Sequence, residues 1–280
     1  MSNSDTTAPI AEKDMAATTG TDANGVHAVR RTDYGNPQAH LHLGDEARLA
    51  PFGGEFQPGL YKPTSHRKFA NPAPLGLSAF ALTTFVLSLI NVGARGIAAP
   101  NVALSLAYGY GGLVQLLAGM WEMAVGNTFG ATALSSYGGF WISYAILLTP
   151  GFQALTDYSA GDEASVLGFF LTGWFIFTFI LLICTLRSTV MFFMLFFTLD
   201  LAFLMLACSE FAKANGALNS ALMLQQAGGG FGLLAAFLAW YNAFAGIADS
   251  SNSFFLIPVF HFPWSEKGRE ARGKVRRDSV

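Results

Sequence analysis

Between Asn71 and Asp249 the chain has 179 residues and only ten charged side chains. The bases are Arg95, Arg187 and Lys213; the acids are Glu122, Asp157, Asp162, Glu163, Asp200, Glu210 and Asp249. A soluble domain carries about a quarter of its residues charged, so this stretch is built for a different solvent. Within it lie six apolar segments, at 74–92, 101–124, 128–150, 164–186, 189–211 and 228–248. Each is near the roughly 20 residues a helix needs to cross a hydrocarbon core. Backbone in lipid must satisfy its own hydrogen bonds, which leaves helices or closed barrels. Barrel strands alternate apolar and polar residues, and these segments do not. The expected fold is all-α: a polytopic membrane protein with six transmembrane helices.

The flanks read differently. Residues 1–70 are rich in Ser, Thr, Asp, Gly, Ala and Pro and bury too little apolar surface to offset ordering entropy. They are expected to form a disordered tail without a cleavable leader, the aromatic stretch 50–70 serving as a linker. Residues 71–250 form the transmembrane domain, and 251–280 a charged tail ending "SEKGREARGKVRRDSV", also expected without fixed structure. With an even number of spans both tails share a side. Lys62, Arg67, Lys68, Arg187, Lys267 and Arg269 flank that side, against Arg95 and Lys213 opposite, so both termini are expected in the cytoplasm. The net charge of -2 averages wet tails and a dry middle, and no nucleic-acid partner is expected. Cys184 and Cys208 lie in apolar segments and read as small buried hydrophobes, not a disulfide frame.

Enzyme signatures are missing. The sequence has no G-x-x-x-x-G-K-[ST] phosphate loop, no G-x-S-x-G elbow and no H-E-x-x-H. All five histidines lie outside the apolar segments, so neither a metal nor a cofactor site is expected, and no catalytic residue. "YGYGG" at 108–112 leads straight into helical sequence, so it reads as close helix packing and not as an ion filter. The pairs Gly126/Gly130, Ser135/Gly139 and Gly228/Gly232 have the four-residue spacing that lets membrane helices approach. "GFFLTGWFIFTF" at 168–179 reads as lipid-facing or packing surface.

Polar residues inside the spans are the informative ones. Tyr108, Gln115 and Glu122 recur at seven-residue intervals and are expected on one helix face. Asn127, Thr128, Thr132, Ser135, Ser136 and Tyr137 crowd the third span, and Asp200 interrupts the most apolar stretch. An intramembrane carboxyl is costly and faces protein or water. Asp200 reads either as a proton carrier or as a structural acceptor for a neighbouring Tyr or Trp. Glu122 reads as an interfacial charge or as a partner for the cap of the next helix. Neutral donors with almost no fixed positive charge suit a path for a small polar solute, since they can bond a carboxylate without trapping it.

"NPAPLGLSAF" at 71–80 and "GNTFGATALSSYGGFW" at 126–141, with Glu122 just before the second, resemble the acetate uptake transporter family, the succinate–acetate permeases. The resemblance covers about residues 69–250, and the long polar N-terminal stretch is similar to fungal members. It implies a plasma-membrane hexamer with a pathway for acetate and related monocarboxylates in each protomer. It also implies a hydrophobic constriction at Phe80, Tyr137 and Leu199, the last placed by counting from "TLR" at 185–187. Without the resemblance Phe80 and Leu199 read as ordinary core. Pro72 and Pro74 start a helix without orphan N–H groups, and Asn71 is placed to cap it or to face the pathway. The vestibule and pathway polar residues are then Asn71, Tyr108, Gln115, Glu122, Asn127, Thr128, Thr132 and Ser136, with Glu122 and Asp200 as proton-coupling candidates. Transport as an anion channel or as a proton-coupled permease both stay open. The rivals are a membrane sensor or scaffold that responds to acetate or ammonium, and a path for ammonia or ammonium.

Overall fold

The structure, a computed structural model, describes residues 69–278. The tail expected over residues 1–70 lies outside the described residues except for Phe69 and Ala70. Seven long helices follow: α1 (Ala73–Asn91), α2 (Asn101–Val125), α3 (Thr128–Leu148), α4 (Ala160–Cys184), α5 (Val190–Ala214), α6 (Leu218–Ile247) and α7 (Glu266–Asp278). Five of them, α1, α2, α4, α5 and α6, are long and apolar enough to cross a membrane. The chain is a polytopic membrane protein. The third expected span, α3, is 21 residues long but is diluted by Gly, Ser, Thr and Tyr, and it falls outside those five.

Local chemistry sets the boundaries. The α1 start holds Pro at its first turn, and the Ala73 N–H donates to Asn71 Oδ1 at 3.1 Å. Gly126 ends α2 in the left-handed region at φ 88°, a conformation that costs glycine nothing. The next residue, Asn127, caps α3 by accepting from the Gly130 N–H at 2.7 Å. Ser159 and Thr189 cap α4 and α5 in the same way, accepting from Asp162 N–H and Phe192 N–H.

A π-helical stretch, Gly109–Val114, interrupts α2. It coincides with "YGYGG": a side chain on Gly111 would collide with Thr83 of α1, and one on Gly112 with the Ala107 carbonyl. The segment is therefore helical close packing and has no filter loop. The extra residue of the wide turn breaks the seven-residue register, so Tyr108 leaves the face shared by Gln115 and Glu122.

The helices pack in the order α4–α5–α6–α1–α2–α3. The gap from α3 back to α4 and α5 is bridged by aromatic rings. Phe140 meets Trp174 at 5.1 Å and Phe203 at 5.2 Å, and Phe129 meets Phe196 at 5.4 Å between ring centroids. The aromatic run of α4 therefore splits, with Trp174 and Phe177 packing inward on Tyr137 and Phe169, Ile176 and Phe179 exposed. The small-residue pairs also split. Gly228 packs on Leu206 of α5 and Gly232 on Ser88 of α1, whereas Gly139 has open space beside it. Cys184 is exposed and Cys208 half-buried, both as free thiols. The expectation of burial fails for Cys184 because its apolar surroundings lie on the outer surface of the bundle.

The ends of the bundle alternate. Gly246 near the end of α6 sits against Pro74 at the start of α1, and Phe69 meets Trp121 near the end of α2 at 5.8 Å. The C-terminal region, expected to lack structure, first forms a strap along this same end. Ile257 packs on Ala245 and Ala248, the Val190 N–H donates to the Phe260 carbonyl at 2.7 Å, and Trp264 Nε1 donates to the Leu186 carbonyl at 2.7 Å. Helix α7 follows.

Candidate functional site: a central cavity at the meeting of four helices

A cavity of about 30 Å³ lies where α1, α2, α3 and α5 converge, room for about one or two waters. Leu77 and Phe80 of α1, Gln115 of α2, Phe129, Gly130, Ala133, Leu134 and Tyr137 of α3, and Phe192, Leu195, Phe196 and Leu199 of α5 line it. Phe80, Tyr137 and Leu199, drawn from three separate helices, meet at this one void. Phe80 and Tyr137 stand 5.9 Å apart between ring centroids. The Tyr137 hydroxyl shares a 2.9 Å hydrogen bond with Thr178 Oγ1 of α4, which fixes the ring in the cavity wall.

Gln115 is the polar group in this wall. Its side chain is fully buried, and neither its Nε2 nor its Oε1 has a hydrogen-bond partner among the described residues. A buried amide without partners costs about 1–3 kcal/mol, a cost that a molecule in the cavity would relieve.

Two turns along α2, about 10 Å away by helical rise, Glu122 is also fully buried. Asn127 Nδ2 donates to Glu122 Oε2 at 2.6 Å; Glu122 Oε1 accepts nothing from the described residues. Of the two readings of Glu122, the structure shows the partner of the next helix's cap. Gly130 ties this pair to the cavity: it lines the void, its N–H is held by Asn127, and a Cβ on it would stand 3.0 Å from Glu122 Oε2.

The other residues singled out in the sequence lie elsewhere. Tyr108 bonds Thr149 Oγ1 at 2.9 Å at the far end of α3. Asn71 accepts from the Ala73 N–H just ahead of α1, near Gly246. Thr128, Thr132 and Ser136 lie on the outer face of α3, Thr128 and Thr132 exposed. Asp200 is buried next to Leu199, and its Oδ1 takes no hydrogen bond from the described residues, among which no Tyr or Trp donates to it. Phe129, Phe192, Leu195 and Phe196 complete the wall and went unnoticed in the sequence. Their 3- and 4-residue spacing was the available signal, but on helices apolar all round such spacing marks no particular face. A second hollow of about 430 Å³ lies open on the outer surface of α1 and α6 around Trp240 and shares no residue with the cavity.

A family model described as the GPR1/FUN34/yaaH family matches residues 52–264. The chain belongs to the GPR1/FUN34/yaaH family. "Acetate permease A" of Emericella nidulans is 66% identical over 256 residues, 89% of this chain and 85% of that protein. "Ammonia transport outward protein 2" of Saccharomyces cerevisiae is 51% identical over 218 residues, 77% of this chain and 74% of that protein. The solved bacterial acetate channel SatP superposes with a TM-score of 0.57 at 36% identity, over 64% of this chain and 93% of its own. Members of the GPR1/FUN34/yaaH family among these relatives carry the names of transporters, not of enzymes.

Proposed function

We propose that the protein carries acetate and related short monocarboxylates across a membrane through the central cavity, with Phe80, Tyr137 and Leu199 as its constriction. The observation that carries this reading is the meeting of those three side chains around one small void, beside a buried Gln115 amide whose hydrogen-bonding groups are unfilled. The amide N–H is a donor for a carboxylate that does not hold it as a fixed Arg would. Phe80, Tyr137 and Leu199 narrow the path to this small void, which keeps out bulk water and turns larger solutes away. Relatives named for acetate permeation and an acetate channel support the substrate.

The path has two ways to move charge. In one, the acetate anion passes with Gln115 and water as partners. In the other, a proton travels with it, and Glu122 and Asp200 are the carriers to test. Labelled-acetate flux into liposomes holding the purified chain separates them. Flux driven by voltage without a pH gradient establishes the anion path; flux driven only by the proton gradient establishes coupling. Flux of neither kind in folded protein favours the sensor reading. Because one relative is named for outward ammonia transport, ammonium belongs in the same assay.

The same proposal includes six spans with α3 among them, both termini cytoplasmic in the plasma membrane, and assembly as a hexamer. The support for assembly is the outer face of α3. Every other spanning helix exposes large apolar residues, such as Leu117, Phe169, Phe197 and Phe237, and α3 exposes none. Its outward positions are Thr128, Thr132, Ser136, Gly139 and Ser143, a hydroxyl-rich surface suited to another helix and poorly suited to lipid tails. Mass measurement of the detergent-solubilised particle tests the hexamer.

A further inference from the structure

The strap between α6 and α7 turns a row of large side chains outward. Phe254 is fully exposed, and Phe255, Leu256, Phe260 and Trp264 are each more than half exposed. This is not loose chain. Ile257 is buried against the end of α6, Tyr241 Oη donates to the Pro258 carbonyl, Thr189 and His261 form an antiparallel bridge, and Phe262 packs edge-on to Phe193 at 5.6 Å. Every anchor is on the last two turns of α6, the first turn of α5 or the α4–α5 turn. The strap is thereby held at the end of the bundle, with Trp264 bonded to the Leu186 carbonyl and Phe255 resting edge-on against Phe244, while half or more of each of those five large side chains stays uncovered.

Helix α7 begins two residues after Trp264. It contains Lys267, Arg269, Arg272, Lys274, Arg276 and Arg277 against Glu266, Glu270 and Asp278. Arg272 donates to the carbonyls of Gly268 and Pro263, so the basic helix is tied back to the strap. Exposed aromatic rings beside a net-positive helix, both at the end of a membrane bundle, match the chemistry of an anionic lipid surface: rings at the level of the headgroups and cations facing phosphate or carboxylate.

The geometry points to a second membrane contact outside the spans. Strap and α7 form a monotopic element that seats Phe254, Phe255, Leu256, Phe260 and Trp264 in the headgroup region of the same bilayer and binds anionic lipid through the basic residues of α7. The occupant is lipid, because the charge of α7 complements it and the anchors fix the depth. The inference rests on the chain being a membrane protein and is independent of what it conducts.

Phe255→Cys, spin-labelled in full-length protein carrying Cys184→Ser and Cys208→Ser, tests it in vesicles of phosphatidylcholine alone or mixed with phosphatidylserine. Phe260→Cys serves as a second probe site should the first variant fold poorly, with a single symmetric size-exclusion peak as the folding criterion. The expected result is collisional access to oxygen exceeding access to a water-soluble nickel chelate, with a shift further towards oxygen when phosphatidylserine is present. That shift should be lost in Arg269→Gln/Arg277→Gln. Greater access to the nickel chelate in both lipids would put the strap in water and overturn the inference. A label shielded from both reagents would mean that protein covers the strap, which also overturns it. An oxygen preference identical in the two lipids overturns the anionic-headgroup part.

Discussion

Replacing Gln115 with Leu should raise stability and lower transport in one step. The side chains are close in volume, so no new cavity forms. Gln115 makes no side-chain hydrogen bond to the described residues, so the change breaks no protein contact. It removes a buried amide whose desolvation costs about 1–3 kcal/mol, less whatever water in the cavity returns. A stability gain of up to about 1–2 kcal/mol is therefore expected. Transport moves the other way. A hydrogen bond to a charged group is worth about 1.5–3 kcal/mol, and each 1.4 kcal/mol is about tenfold. If Gln115 donates to the passing carboxylate, uptake should fall about ten- to hundredfold. Thermal unfolding of the purified variant and labelled-acetate uptake into liposomes read the two effects. A variant that unfolds at lower temperature yet transports normally would refute the reasoning, since Gln115 would then be a structural residue with no substrate contact.

Other predictions follow from the same geometry. Asn127→Ala removes a helix cap, worth about 1 kcal/mol, and leaves the Glu122 carboxyl without its donor for about 1–3 kcal/mol more; thermal unfolding should drop accordingly. Gly138→Ala would set a methyl 2.7 Å from the Leu116 backbone nitrogen and force α2 from α3, at about 1–3 kcal/mol. Gly139→Ala meets nothing within 4 Å and should stabilise the protomer by about 0.5–1 kcal/mol through helix propensity, while Gly139→Leu should disturb assembly if the outer face of α3 is an interface. Burial, with Lys267 as a lesser cause, holds the His261 imidazole below its ordinary value. The unfolded chain then binds the proton more readily than the docked strap, so docking is fully present above the ordinary histidine range and weakens as pH falls through it. Hydrogen exchange at the Val190 N–H, corrected for intrinsic rate, should show protection falling on acidification, and less so in His261→Gln.

Much of the fold was legible because lipid imposes one rule at a time. Apolar length marked the spans, and Pro72 and Pro74 marked the start of the first; Gly126 and Asn127, read as packing and pathway residues, instead end α2 and cap α3. The α6 helix begins at Leu218, ten residues before the apolar segment that announced it, because a helix needs no hydropathy to continue through Asn219, Gln225 and Gln226. Gly228, Gly229 and Gly230 weaken helix propensity, yet Gly228 and Gly229 sit where neighbouring helices leave no room for a side chain. The π stretch was hidden because pattern reasoning assumes a constant 3.6-residue turn. Phe80, Tyr137 and Leu199 were singled out through motif resemblance; periodicity cannot separate a pore face from a packing face when both are apolar. The strap escaped notice because the Val190–Phe260 and Trp264–Leu186 bonds involve backbone groups whose partners composition does not reveal.

The ring-filled gap beside α3 has a mechanical consequence. Where α2 meets α3, Gly119 and Gly138 bring the helices so close that sliding meets backbone, and Gly111 sets α2 against the Thr83 side chain of α1. Where α3 faces α4 and α5, the span is made by Phe129, Tyr137, Phe140, Trp174 and Phe196. A wall of that kind changes its aperture by turning side chains about their χ angles, and the helices can stay where they are. Three of its five members are phenylalanines, whose rings are held by packing contacts. If the proposed path runs along this wall, the frame is stiff and the rings are its movable part, so passage would leave distances between helix backbones almost unaltered while the rings exchange rotamers.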